Sequence, residues 1–273
     1  MVPKRLIEAC NLIRAGSVNK GLKALDSFQN LETEIAEIKS EIMYFSCDFE
    51  KAMEYEKIVF PYWGKWCTHH LFHEHLAAFT FAAINTGKNK DAAAFLAMSI
   101  PNVQSKLQNY NLSDSLREIF ILQILESIDV LENGIERYID EHSYKQNYKI
   151  KSMDEITRKL ENRFPHIKKD SANGISYMLN QFYKEGLARD FIELYEKCTQ
   201  GRRHYHINAA KIYLSLNQRD KAEQAIRNFA QAWCPYGYLT VMPMTLFTEY
   251  GLYSLLTPIF LNELMTIPKH QFE

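Results

Sequence analysis

The sequence predicts an all-α protein built from consecutive helical hairpins. Apolar residues recur at intervals of three or four along most of its 273 residues, as they do on one face of an amphipathic helix. Short turns interrupt these runs, and small residues recur at similar distances after the turns. No Asn-Gly turn lies between alternating apolar runs, so β-hairpins are not expected.

The clearest hairpin is centred on residues 47–57, CDFEKAMEYEK. The run before this turn has an apolar face formed by Ile35, Ile38, Ile42 and Phe45. A polar stripe lies one residue earlier in the same rhythm, at Glu34, Glu37, Glu41 and Tyr44. Asp48 is expected to cap the second helix, and Pro61 predicts that this helix stops near Phe60. Two short helices joined by so few residues pack antiparallel.

This hairpin resembles the tetratricopeptide repeat (TPR). In that family an aromatic residue begins the second helix and an alanine follows three residues later, and Phe49 and Ala52 take these places here. Lys39 and Glu56 depart from the family, which usually has large apolar or aromatic residues at their positions. Similar frames cover about two thirds of the chain. Their alanine-position residues are Gly21, Ala52, Ala92, Gly134, Phe191 and Ala222. The resemblance implies a right-handed superhelical solenoid, and an irregular bundle of similar hairpins is the alternative.

The chain is expected to form a single domain with three parts. These are an N-terminal repeat block at 1–140, an atypical lysine-rich connection at 141–170 and a C-terminal block at 171–273. Residues 233–260 are strongly apolar, but two internal prolines and Glu249 argue against a membrane span. We expect this stretch to cap the apolar face of the last repeat or, as a second choice, to form a homodimer interface.

Composition predicts a folded cytoplasmic protein. Charged residues make up 24% of the sequence and the net charge is −1, so a nucleic-acid binder driven by bulk charge is not expected. The five cysteines are scattered and form no CxxC pair, which favours buried thiols in a reducing compartment. The N-terminus lacks the apolar core and cleavage site of a signal peptide. No phosphate loop or dinucleotide-binding glycine pattern is present, and no cofactor is expected.

A histidine cluster at 66–79, WCTHHLFHEHLAAF, is the candidate for chemistry. Thr68 is a candidate N-cap, and the next two turns carry His69, His70, His73, Glu74 and His75. His70, His73 and Glu74 form a triangle on a helix surface, and imidazole with carboxylate can bind zinc or iron. Other helices would have to supply further ligands, so a metal-dependent helical enzyme is the alternative hypothesis. The simpler interpretation is that one or two of these histidines pack beside aromatic residues.

The TPR resemblance also implies a binding groove, because one side of each first helix lines a concave surface in that family. Transferred position by position, the groove contains Glu34, Glu37, Glu41, Tyr44, His70, Glu74, Phe81, Asn173, Asn180, Tyr183, His204 and Lys211. Its N-terminal half is acidic, and a basic partner segment would relieve the repulsion between these carboxylates. An ordinary solvated acidic face is the alternative interpretation.

These observations favour a non-catalytic protein-protein interaction module. We expect the groove to bind a partner protein or peptide, so that the protein acts as an adaptor, a regulator or an inhibitor. Sequestration of a single partner, as by immunity proteins or antitoxins, is one such role.

Overall fold

A computed structural model describes residues 4–62, 69–108, 114–134, 172–197, 203–233, 241–243 and 252–271. Within these ranges the protein contains twelve α-helices and two short 3₁₀ turns, and no strand. The predicted all-α class is therefore confirmed for the described part of the chain. The lysine-rich connection predicted at 141–170 lies outside it.

Contacts between helices divide the chain into two units, Met1–Ser143 with Trp233–Glu273, and Tyr144–Ala232. The first unit contains α1 (Lys4–Arg14), α2 (Val18–Leu25), α3 (Glu32–Phe45), α4 (Phe49–Val59), α5 (His69–Thr86), α6 (Asn89–Gln108), α7 (Asp114–Asn133) and α12 (Pro258–Thr266). The second contains α8 (Ala172–Lys184), α9 (Ala188–Lys197), α10 (Arg203–Ser215) and α11 (Arg219–Ala232). The predicted C-terminal block at 171–273 is thus divided between the two units.

Consecutive helices of the first unit pack against each other. α1 packs on α2, α3 on α4 and α6 on α7, while α5 contacts α3, α4, α6 and α7. In the α3–α4 hairpin, the Asp48 carboxylate accepts a hydrogen bond from the main-chain N–H of Lys51 at 3.4 Å, which confirms the predicted cap. α4 ends at Val59 and a 3₁₀ turn, Phe60–Tyr62, follows, as the position of Pro61 predicts.

Turns between paired helices contain a residue in the left-handed backbone region. Gly16 takes this place between α1 and α2, with a φ of 82°. Cys47 takes it between α3 and α4 with a φ of 61°, and Asn217 between α10 and α11 with a φ of 57°. Gly134 follows the last residue of the long helix α7 with a φ of 97°, so its predicted place inside the second helix of a hairpin is wrong.

Two apolar clusters hold the helices of the first unit together. One joins α1, α2 and α3 and includes Leu6, Ile13, Leu25, Ile38 and Ile42. The other centres on α4 to α7 and includes Phe72, Phe79, Leu96, Phe120 and Ile124. Burying each such side chain contributes about 1.5–3 kcal/mol. The predicted small residue Gly21 has a packing reason, since a Cβ there would lie 2.4 Å from Cγ1 of Ile13.

The four described helices of the second unit form two hairpins. α8 packs on α9 and α10 on α11, and α10 also contacts α8 and α9. Phe191 stands at a predicted alanine position but is completely buried, with its ring centroid 6.1 Å from that of Tyr183 and 6.4 Å from that of Tyr205. The hydroxyl of Tyr205 donates to the carbonyl of Ser176 at 2.5 Å, which joins α10 to α8. An aromatic cluster therefore fills this hairpin where a small residue was expected.

The C-terminal residues of the first unit, 233–271, form what we name the C-terminal segment. Its helix α12 packs against α1 and α3, and Met265 joins the α1–α3 apolar cluster. The sequence predicts that residues 233–260 cap the last repeat; those of them that the structure describes contact α1, α3 and α5, through Trp233, Val241 and Tyr253. In the described part of the chain, no helix is both long and apolar enough to cross a membrane.

Candidate functional site

The acidic stripe on α3 is largely buried. Glu37 and Glu41 are 5% and 6% exposed, Tyr44 is 1% exposed, and Glu34 is half-buried. The expectation of an open acidic surface is therefore corrected at Glu37, Glu41 and Tyr44. The physical reason is that internal hydrogen-bond donors and a cationic side chain compensate the two buried carboxylates.

Glu41 is held by the main chain of the C-terminal segment. Its Oε1 accepts hydrogen bonds from the N–H groups of Val241 at 2.8 Å and Met242 at 3.1 Å. Both donors belong to residues that are completely buried. Hydrogen bonds to an ionised acceptor are stronger than neutral ones, so the carboxylate is a firm anchor for this stretch of main chain.

Arg14, the last residue of α1, is a second anchor and is completely buried. Its guanidinium donates to the carbonyl oxygen of Trp233 at 2.5 Å and to that of His270. The carbonyl oxygen of Arg14 accepts a hydrogen bond from the main-chain N–H of Lys269 at 2.8 Å. These hydrogen bonds from Arg14 and to Glu41 involve main-chain atoms of the segment.

Aromatic rings continue this surface onto α5. The ring centroid of Phe81, a predicted groove residue, lies 5.2 Å from that of Tyr44 and 5.1 Å from that of Tyr253 in the C-terminal segment. Burial raises the pKa of Tyr44 well above its usual value, so this phenol is neutral. We name the side chains of Arg14, Glu41, Tyr44 and Phe81 the first-helix face.

Lys269 places a buried ammonium group at the end of α12. Its Nζ donates to the carbonyl oxygens of Leu264 at 2.6 Å and Ile267 at 2.7 Å. Burial lowers the pKa of Lys269 to about 8, although the Glu41 carboxylate opposes this shift. The side chain thus satisfies carbonyl groups at a helix C-terminus, where a cation is favoured.

His75 is buried between carboxylates of α3 and α4. Its Nδ1 lies 3.0 Å from Oε2 of Glu56, and its Nε2 lies 3.6 Å from Oε1 of Glu37. Ser40 Oγ donates to Oε1 of Glu56 at 2.6 Å. Burial acts to lower the pKa of His75, but the carboxylates of Glu56 and Glu37 raise it well above its ordinary value. The charged imidazole links α3, α4 and α5, and it gives the buried Glu56 carboxylate a partner.

A small cavity adjoins His75. Its volume is about 10 Å³, which is room for a single water molecule. Its lining consists of Glu37, Glu41, Tyr44, Glu56, Glu74, His75 and Ala78. Because Glu56 contacts both Ser40 on α3 and His75 on α5, we interpret the histidine–carboxylate cluster as a structural link between helices.

The metal hypothesis gains no support from the side chains that the structure describes. Among them, no group of three or more histidine, cysteine, aspartate or glutamate residues is placed to hold a metal ion. His73 and Glu74 are half-buried on α5. The side chains of His69 and His70 lie outside the described part, as does Thr68, so the triangle of His70, His73 and Glu74 stays an untested alternative.

Two predicted groove residues of the second unit lie in contact. Lys211 Nζ donates to the hydroxyl oxygen of Tyr183 at 3.1 Å and lies 5.8 Å from the centroid of that ring. Lys211 is buried, Tyr183 is half-buried and Asn180 is exposed. The side chains of Asn173 and His204 lie outside the described residues.

Sequence reasoning missed Arg14 and the residues that it and Glu41 hold. A basic residue in the last turn of an amphipathic helix was the one available signal for Arg14. No known protein family model, no curated protein and no solved structure matches the chain. Its function is therefore inferred from the geometry of these residues.

Proposed function

We propose that this protein is a non-catalytic interaction module that binds an extended segment of a partner polypeptide. The proposed binding surface is the first-helix face. The observation that carries the proposal is the pair of hydrogen bonds from the main-chain N–H groups of Val241 and Met242 to the Glu41 carboxylate. A helical face that holds one stretch of main chain in this way has the groups needed to hold another.

The proposal includes a TPR-like stacking of the hairpins, with the first-helix face on the concave side. Glu41 and Phe81 stand eleven residues before the alanine-position residues Ala52 and Ala92, so they occupy equivalent places in successive hairpins. Both contact the C-terminal segment. Contact of equivalent positions with one polypeptide supports a continuous surface along α3 and α5.

Binding to this surface requires a basic partner segment less strongly than the acidic stripe in the sequence suggests. Glu37 is paired with His75, and Glu41 is occupied by main-chain N–H groups. Glu32 is exposed and Glu34 is half-buried in the first turn of α3, so this end of α3 stays acidic. We propose that basic side chains of the partner contact this end, while recognition of the partner's main chain supplies most of the affinity.

The proposed cellular role is that of a cytoplasmic adaptor, regulator or inhibitor. Sequestration of one partner, as by an immunity protein, is compatible with a surface that binds main-chain atoms. In the described part of the chain, this surface contains no catalytic groups. The first test concerns how the surface recognises a polypeptide, because this can be measured with a synthetic peptide in place of the partner.

The test uses the full chain and a fluorescent synthetic peptide with the sequence of residues 236–248, titrated by fluorescence anisotropy. A second peptide is N-methylated at the positions of Val241 and Met242, so it keeps every side chain but loses both donors. We expect it to bind at least about tenfold more weakly, because a hydrogen bond to a charged group contributes about 1.5–3 kcal/mol. A peptide N-methylated only at its first residue is the control and should bind like the unmodified one.

Glu41→Gln in the full chain should weaken binding of the unmodified peptide and leave binding of the doubly N-methylated peptide unchanged. Comparing protein and peptide variants in this way separates the contribution of the Glu41 contact from nonspecific binding of an apolar peptide. Equal affinity for the unmodified and the doubly N-methylated peptide would contradict main-chain recognition by Glu41.

A further inference from the structure

We propose that α7 carries a second interaction surface, which binds a basic amphipathic helix of a partner protein. This surface, which we name the α7 outer face, consists of Glu118, Ile119, Leu122, Leu125 and Asp129. All five side chains are exposed. The inference goes beyond the proposed function, whose surface is the first-helix face on α1, α3 and α5.

α7 is apolar on two sides. One side carries Phe120 and Ile124, which are 2% and 0% exposed and belong to the α4–α7 apolar cluster. The other side carries Ile119, Leu122 and Leu125, which are 38%, 55% and 46% exposed. A helix at the surface of a protein ordinarily has one apolar stripe and an opposite polar face. Apolar residues on both sides therefore indicate that a second surface packs against α7.

Exposed apolar residues are concentrated on this helix. The large apolar side chains that are exposed in the described part of the chain are Leu12, Met98, Ile119, Leu122, Leu125, Leu216 and Ile259. Three of these seven lie within seven consecutive residues of α7, whereas single scattered ones are ordinary at a protein surface. The exposed residues of α4, by contrast, are all charged: Glu50, Lys51, Glu54 and Lys57. The concentration on α7 therefore indicates an interaction surface.

The apolar residues of the α7 outer face form one continuous stripe. Residues three or four apart are neighbours on a helix surface, so Leu122 lies beside both Ile119 and Leu125. Glu118 stands four residues before Leu122, and Asp129 stands four residues after Leu125, so a carboxylate lies next to each part of the stripe. A partner helix whose own apolar residues recur at intervals of three and four can pack along such a stripe.

The charge of α7 selects the chemistry of the partner. Among its described side chains, the exposed charged ones are all acidic: Asp114, Glu118, Glu126, Asp129 and Glu132. Arg117 is the one basic residue in the helix sequence, and its Nη1 lies 3.2 Å from Oδ1 of Asp114 in the first turn. A second copy of α7 or an anionic lipid surface would bring like charges together, which is unfavourable. Lysine or arginine side chains beside the apolar residues of a partner helix would complement this face.

The experiment uses the full chain and two fluorescent synthetic helical peptides, titrated by fluorescence anisotropy. Both peptides have leucines at intervals of three and four and are otherwise rich in alanine. The basic peptide has lysines beside the leucines, and the acidic peptide has glutamates at the same positions. We expect the full chain to bind the basic peptide at least about tenfold more tightly than the acidic one. Added salt should reduce this ratio, because it screens exposed charges.

Variants of the full chain locate the binding surface. Leu122→Asp should weaken binding of the basic peptide at least about tenfold, because the burial of a leucine side chain is lost. Ile259→Asp is the matched control, since it adds the same charge at a residue of α12 that is 83% exposed, and it should bind like the wild type. The double variant Glu118→Lys with Asp129→Lys should reverse the preference, so that the acidic peptide binds more tightly than the basic one.

Thermal unfolding and sedimentation of the same variants distinguish a partner helix from other occupants of the face. Leu122→Asp should keep the Tm of the wild type, because Leu122 is 55% exposed. If it lowers the Tm while Ile259→Asp does not, the face packs within the chain itself and the inference is overturned. A wild-type dimer that Leu122→Asp dissociates would overturn it in favour of a second copy.

Equal affinity of the wild type for the two peptides, or equal affinity of the wild type and Leu122→Asp for the basic peptide, would also overturn the inference. None of these outcomes bears on the proposed function, which the N-methylated peptides of residues 236–248 test separately.

Discussion

Glu41 Oε1 lies 2.8 Å from the main-chain nitrogen of Val241, a residue 200 positions further along the chain. This bond ties α3 to residues that follow the whole second unit in sequence. With Arg14, which holds carbonyl oxygens of Trp233 and His270, it makes the first-helix face an intramolecular polypeptide-binding surface. The stability of the first unit therefore reports on the same contacts that we propose for a partner.

Glu41→Gln should lower the free energy of unfolding by about 1–2 kcal/mol. Glutamine retains an acceptor oxygen for the two N–H groups, but it loses the negative charge that strengthens both bonds and adds an amide that needs a partner. Urea denaturation followed by circular dichroism measures the change. Glu54→Gln is the control, because this glutamate is exposed on α4. Equal stability of the two variants would count against a stabilising role for the buried charge.

His75 should make the protein less stable as the pH rises above neutrality. The carboxylates of Glu56 and Glu37 hold its folded-state pKa well above the ordinary value of 6.5, so the folded state keeps the proton longer than the unfolded state. The stabilisation is complete below about pH 6.5 and is lost as the pH rises through the folded-state pKa. Thermal unfolding between pH 6 and pH 10 should show this decline in the wild type and a smaller one in His75→Gln.

The matched control for this pH series is His270→Gln, because the His270 side chain is exposed. It should follow the wild-type curve at every pH. A wild-type curve that coincides with that of His75→Gln would mean that the histidine–carboxylate cluster carries no net proton linkage.

Lys269 should act in the opposite direction. Burial lowers its pKa from 10.5 to about 8, so between these values the unfolded state binds more protons than the folded state. Its contribution to stability therefore increases as the pH rises from 8 to 10.5. Lys269→Met should remove this increase. The measurement is the difference between the urea midpoints of the wild type and the variant, determined at pH 7.5 and again at pH 10. If the wild type and Lys269→Met differ by the same amount at both pH values, the lowered pKa of Lys269 is contradicted.

Gly16→Ala should destabilise the protein more than Gly87→Ala. Both glycines have positive φ, 82° and 69°, which costs a side-chain-bearing residue about 1–2 kcal/mol. A Cβ at Gly16 would also lie 2.7 Å from the carbonyl oxygen of Thr266, whereas nothing lies within 4 Å of one at Gly87. We expect losses of about 2–4 kcal/mol and about 1–2 kcal/mol, measured by urea denaturation. Similar losses of stability in the two variants would show that the main chain at Thr266 moves away from the added Cβ at no cost in free energy.

The α3–α4 hairpin is where sequence reasoning was most successful. The cap at Asp48, the helix end before Pro61 and the apolar face of α3 are all as predicted. Each of these features depends on residues within about one helical turn of each other, so the information is local. The placement of Gly134 failed because a single glycine marks a helix end and a close helix contact equally well.

The candidate surface was predicted in part. Position counting placed Glu41, Tyr44 and Phe81 on one side of the first helices, and the structure brings these three to the C-terminal segment. It did not foresee that Glu37 and Glu41 are buried. Burial of a carboxylate requires compensating donors, and neither the imidazole of His75 nor distant main-chain N–H groups follow from the pattern on α3.

The sequence by itself determined the helical class, the hairpin turns and the caps, because helix periodicity and capping are properties of neighbouring residues. Only the tertiary structure decided that described residues of the C-terminal segment contact α1, α3 and α5, and that Glu37 and Glu41 of the acidic stripe are buried. The physical reason is that Arg14 and Glu41 bind main-chain carbonyl and N–H groups. Every residue except proline offers both groups, so a main-chain partner 200 or 219 residues away leaves no signature in the sequence.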